Sequence, residues 1–138
     1  MIEKPFGYDL ESARKLNTEL QKYFEEEHIY RVDHYLGKKY VRELYEYRLN
    51  LVSEWSGQNI AQVRILSSET LTMEGRGEYY DKSGATRDFL QNHLLQILAI
   101  AIMEIGASQD SRNLQKSKYD ALKSIKPLLI DPNHDVIF

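Results

Sequence analysis

The chain has 138 residues, 42% hydrophobic and 28% charged, with a formal net charge of −3; that suffices for one domain with a core and gives no excess of positive charge to favour nucleic acid or an anionic membrane. It contains no cysteine, which excludes disulfides and thiolate metal sites. The opening MIEKPFGYDL is charged and interrupted by Pro5, unlike a secretory leader, and the longest apolar run, HLLQILAIAIMEI at 93–105, is shorter than the roughly 20 residues that span a bilayer.

In chain order, GYDLESARKLNTELQKYF predicts a helix: Asp9 is placed to cap it, and Leu10, Ala13, Leu16, Leu20 and Phe24 recur at helical steps. EEEHIYRV leads out through a charged turn into a short extended piece. GKKYVRELYEYRLNLVSEW is helical again, with Val41, Leu44, Tyr45 and Leu49 on one face. NIAQVRILSSETLTM predicts one strand carrying Ile60, Val63, Ile65 and Leu71, and EGRGEYYDKSGAT a loop or hairpin. RDFLQNHLLQILAIAIMEIG is a long buried helix that Gly106 ends. After a loop, LQKSKYDALKSIKPLL places Leu114, Leu122, Ile125 and Leu128 on one stripe closed by Pro127, and DPNHDVIF is an apolar tail. Four helices and two or three strands are too few for a complete sheet, so the chain reads as part of something larger at both ends.

The stretch YRVDHYLGKK crowds Asp33, His34, Tyr35 and Lys38 together. Asp33 is placed either to cap the following helix or to orient an imidazole; beside phosphate it would be repelled. His34, Tyr35 and Lys38 are either ordinary surface and partly buried groups or donors beside a helix N-terminus, which attracts phosphate. His93 opens the most apolar helix, as a satisfied core histidine or as a neutral general base held in one tautomer by a distant carboxylate. Asp88 lies five residues earlier, about 140° around a regular helix, where a ligand across the helix start would touch both. Glu69 reads as a strand-end charge or a further carboxylate for a ligand. A cation on Asp33, His34, Asp88 and His93 would match no short metal motif.

EKPFGYDLESARKLNTELQKYF, IYRVDHYLGK, NIAQV, EGRG and RDFLQNHLLQ, in that order, resemble the glucose-6-phosphate dehydrogenases. The likeness covers most of residues 3–105 and continues weakly to about 128. It implies an α+β fold, with helices packed on a partial, mostly antiparallel sheet, an incomplete version of the dehydrogenase C-terminal domain. Residues 1–138 would form a single substrate-binding segment lacking the N-terminal Rossmann domain and most of the C-terminal sheet; no glycine-rich dinucleotide turn occurs in the chain.

The resemblance further implies roles. His93 matches the base that takes the proton from the C1 hydroxyl as hydride leaves for NADP, and Asp33 the carboxylate that orients it. His34, Tyr35 and Lys38 match the grip on the 6-phosphate, Glu69 and Asp88 the carboxylates that accept bonds from sugar hydroxyls, and Lys4 a lysine between coenzyme and sugar. The implied partners are glucose 6-phosphate and a second copy or longer homologue, with no metal, nucleic acid or membrane, in the cytoplasm. The sequence departs from the family at Lys39, Ser68, Thr70 and Glu78, and between Lys39 and Asn59, where it is about three residues short. Three readings follow: the substrate part of the dehydrogenase, a non-catalytic sugar-phosphate-binding or interaction module, and an inactive remnant.

Overall fold

In the computed structural model, which describes residues 1–51, 54–68, 75, 77–106 and 111–126, the chain begins with a short strand, β1 (Ile2–Glu3), that pairs with β2 (Arg31–Val32). The pairing is parallel, with Ile2 opposite Arg31 and Glu3 opposite Val32. This corrects the expectation of a mostly antiparallel sheet. The helix between the two strands carries the chain back to its starting end, and a crossover of that kind leaves strands parallel.

That helix, α1 (Leu10–Leu20), starts as its sequence dictates. Asp9 accepts from the Ser12 backbone N–H at 2.8 Å, and the Asp9 N–H donates to Ser12 Oγ at 3.1 Å, closing a capping box. Gly7 makes the entry tight: its φ is +113°, and a Cβ there would lie 2.5 Å from the Ala13 nitrogen. The apolar stripe of α1 is only partly covered. None of its residues is buried; Leu10 is 65% exposed, and Phe24, beyond the helix end, 54%.

A short 3₁₀ turn, His34–Gly37, links β2 to α2 (Lys39–Asn50). The predicted strand at 60–68 is absent: these residues pair with no strand among those described, although Ile65 packs on the core, and Leu71 lies outside the described residues. The predicted loop instead contains a helix, α3 (Gly77–Ala85), broken at Gly84 with φ +69° and ψ 165°.

The long helix predicted over 87–106 divides in two. Thr86–Leu94 is π-helical, and α4 (Leu95–Ile102) continues as an α-helix. It stops at Met103, which turns extended, rather than at Gly106. Its last carbonyls are capped by side chains. Arg48 Nη1 donates to the Ile100 carbonyl at 2.6 Å, and Trp55 Nε1 to that of Ala101 at 2.8 Å. Burial pushes the Arg48 guanidinium below its ordinary range, and Glu104 opposes the shift.

Finally α5 (Ser111–Ser124) packs on α4. Tyr35, Val41, Ile97, Ile100, Met103 and Ala121 form the core where α2, α4 and α5 meet. No helix among the described residues is long and apolar enough to cross a membrane.

Candidate active site

Two carboxylates, two imidazoles and a lysine converge where the 3₁₀ turn meets the π-helical segment. Asp33 follows β2 directly and caps the turn, its Oδ1 accepting from the Tyr35 N–H at 2.9 Å. The same oxygen lies 2.6 Å from His93 Nδ1. The capping reading and the orienting reading of Asp33 are therefore one geometry. The other oxygen, Oδ2, is buried and has no hydrogen-bond partner among the described residues.

His93 is 2% exposed. Its Nε2 lies 2.7 Å from Lys4 Nζ, which also bonds the Asp88 carboxylate at 3.0 Å. These neighbours fix the tautomer. An ammonium only donates, so Nε2 must carry the lone pair, and Nδ1 must carry the hydrogen given to Asp33. Burial holds the imidazole below its ordinary value of 6.5; Asp33 pulls it up, while Lys4 and His34 push it down further. The result is a neutral imidazole with a fixed acceptor, the state that a general base requires.

The Tyr35 ring stacks on His93, with centroids 4.2 Å apart and planes at 16°. Phe89 meets both rings edge-on, and His34 meets His93 at 4.7 Å. Lys38 Nζ sits 3.6 Å above the Tyr35 ring centroid. Tyr35 is thus a buried wall of the site as well as a neighbour of Lys38.

Asp88 and His93 were expected on different sides of a regular helix. The π geometry corrects this: Leu95 N–H reaches back to the Leu90 carbonyl, and a turn that closes on the fifth residue brings positions 88 and 93 to one face. Lys4 bridges them.

Of the residues singled out in the sequence, the structure brings together Lys4, Asp33, His34, Tyr35, Lys38, Asp88 and His93. Glu69 lies outside the described residues. Donor atoms of Asp33, His34 and His93 lie within 4.8 Å of one another, but both His93 nitrogens are already engaged, by Asp33 and Lys4. Lys118, on α5, was not anticipated. It lines a cavity of about 330 Å³ together with Asp33, Lys4, Asn92 and Gln96. Nothing in its local sequence marks it, since its neighbours come from elements far away in the chain.

The site lies across two regions of known sequence. The family described as the NAD binding domain of glucose-6-phosphate dehydrogenase matches residues 1–43, and that described as its C-terminal domain matches residues 49–138. Asp33 comes from the first region and His93 from the second. The chain is 47% identical over 134 residues to the chloroplastic glucose-6-phosphate 1-dehydrogenase of Solanum tuberosum, covering 95% of this chain and 23% of that protein. It is 42% identical to the glucose-6-phosphate 1-dehydrogenase of Bacillus subtilis (strain 168), over 95% of this chain and 27% of that one. A solved structure of glucose-6-phosphate dehydrogenase in complex with its substrate glucose-6-phosphate superimposes with a TM-score of 0.83 at 41% identity, covering 91% of this chain and 27% of that chain. The chain thus spans about a quarter of the length of these relatives. On this match of sequence and fold, it belongs to the glucose-6-phosphate dehydrogenase family.

Proposed function

We propose that this chain carries the sugar-phosphate grip and the proton-accepting pair of a glucose-6-phosphate dehydrogenase, the enzyme that oxidises glucose 6-phosphate to 6-phosphogluconolactone with NADP in the pentose phosphate pathway. The observation that carries this is the bond between Asp33 and His93, with Lys38 and His34 alongside.

In this reading His93 Nε2 takes the proton of the sugar's C1 hydroxyl. Its Nδ1–H stays bonded to Asp33, whose charge stabilises the imidazolium that forms. Lys4 holds the Nε2 lone pair beforehand and must give way to the hydroxyl. Asp88 accepts from a sugar hydroxyl, as would Glu69. Lys38, with His34 and the Tyr35 hydroxyl, meets the 6-phosphate; an ammonium pairs with phosphate as a point charge.

Loss of the C1 hydrogen as hydride requires an acceptor, NADP in this family. The described residues by themselves do not form a dinucleotide site. Among the described residues the sheet has two strands, and no glycine-rich turn leads from a strand into a helix. Lys4 alone would reach a coenzyme, so the chain is a substrate-binding segment and the hydride step needs a partner, a longer homologue or a second domain. A cytoplasmic location belongs to the same reading; some relatives are named chloroplastic.

The test is calorimetry of the 138-residue chain with glucose 6-phosphate. One-to-one binding is expected, weakened roughly 10- to 100-fold by Lys38→Ala, since a charge-assisted bond contributes about 1.5–3 kcal/mol. Absence of heat, or a Lys38→Ala chain that binds like the original, overturns it. Sugar-phosphate binding without NADP reduction when a dinucleotide-binding homologue is added would favour the non-catalytic module instead.

A further inference from the structure

A carboxylate that accepts from an imidazole through one oxygen leaves the other to be accounted for. Asp33 Oδ2 is buried with no hydrogen-bond partner among the described residues, and a buried charge left that way is costly unless an opposite charge stands near. Such a charge comes from α5. Lys118 is half-buried, lines the same cavity as Asp33, and is anchored by its ammonium donating to Gln96 Oε1 at 2.7 Å. Gln96 stands three residues after His93, so this bond ties α5 to the helix that carries the imidazole. We infer that Lys118 is a positioning residue: its ammonium offsets the outer side of the Asp33 carboxylate, so that the carboxylate orients His93 without drawing a proton onto it prematurely.

The electrostatics agree. Burial pushes Lys118 below the ordinary lysine range, and the Asp33 charge raises it part of the way back. The groups facing the pair from other elements are Lys4 after β1, His34 and Tyr35 on the 3₁₀ turn, and Asp88 on the π-helical segment. Arg31 of β2 also lines the cavity, but its guanidinium is paired with Glu26 at 2.5 Å. Lys4 addresses the Nε2 side of His93, which leaves Lys118 to act on the carboxylate. Without Lys118 nothing on the Oδ2 side would offset the Asp33 charge, Lys4 and His34 alone would oppose it, and the imidazole would hold a proton to higher pH. A base protonated before the substrate arrives accepts nothing.

This deepens the reading of His93 as a base, and its test uses no sugar phosphate, so either can fail alone. Nitrogen-15 NMR follows the titration of His93 in the full chain. Lys118→Gln, which keeps a polar group for Gln96, is expected to move the His93 midpoint upward in pH, and Lys118→Arg to restore it. A Lys118→Gln midpoint at the original pH overturns the proposal. So does a Lys118→Arg midpoint displaced as far as that of Lys118→Gln, because packing alone would then explain both. The reciprocal measurement needs no change at Lys118. In Asp33→Asn the Lys118 ammonium is expected to titrate at lower pH, and an unmoved Lys118 signal overturns the coupling whatever the folding of the Lys118 variants.

Discussion

Asp88 and His93 share one lysine: Lys4 Nζ lies 3.0 Å from Asp88 Oδ1 and 2.7 Å from His93 Nε2, because a π-helical turn brings positions five apart to the same face. Lys4, just after β1, thereby meets the segment that opens the most apolar helix. The proposed base is held ready by a donor that the substrate hydroxyl must displace.

Replacing Asp33 by Asn keeps the size and an oxygen for the Tyr35 N–H, so the fold should persist. What is lost is the charge that fixes the Nδ1–H tautomer and stabilises imidazolium. In an enzyme assembled around this segment the rate is expected to fall by about 10³–10⁴-fold, with a far smaller change in affinity for sugar phosphate. Steady-state kinetics separates the two, and equal losses in both would count against Asp33 as the orienting group.

The depressed His93 gives stability a defined pH slope. An imidazole that titrates lower in the folded chain than its unfolded value of 6.5 favours folding above that pH. Below it the unfolded chain binds the proton first, so this contribution is lost as pH falls towards the folded value. Denaturation midpoints taken between pH 7.5 and 5 should decrease, and His93→Gln should flatten that part of the curve. A midpoint that rises on acidification would contradict the burial account.

Trp55 offers a test independent of any chemistry. Its Nε1 caps the Ala101 carbonyl at the end of α4, at 2.8 Å. Trp55→Phe keeps an aromatic ring and removes the donor, so a loss of about 1 kcal/mol is expected, a fall of a few degrees in thermal midpoint. An unchanged melt would mean that solvent satisfies that carbonyl equally well.

Gly7 sets how closely the Lys4 segment approaches α1. Gly7→Ala would push a methyl to 2.5 Å from the Ala13 nitrogen at a φ that side chains avoid. A cost of about 1–3 kcal/mol is expected, and the His93 NMR signal should shift because Lys4 moves with the segment. Native stability together with an unaltered His93 signal would show that the entry into α1 relaxes freely.

The sequence by itself determined the local chemistry: the Asp9 cap, the existence of three helices (observed at 10–20, 39–50 and 111–124, with ends that differ by a few residues from the predicted ones), and the residues grouped at 33–38, because caps and apolar periodicity act over a few positions. The motif order also pointed to the family. Periodicity misled where burial was decided elsewhere. The stripe of α1 remains partly exposed, and the alternation at 60–68 forms no strand there, since a strand needs a partner that local pattern does not supply. Only the tertiary structure decided that the two strands run parallel, that a π turn aligns Asp88 with His93, and that Lys118 from α5 lines one cavity with Asp33, the residue after β2. Those relations depend on which distant surfaces bury one another, and charges brought together from opposite ends of the chain leave no mark on the residues next to them.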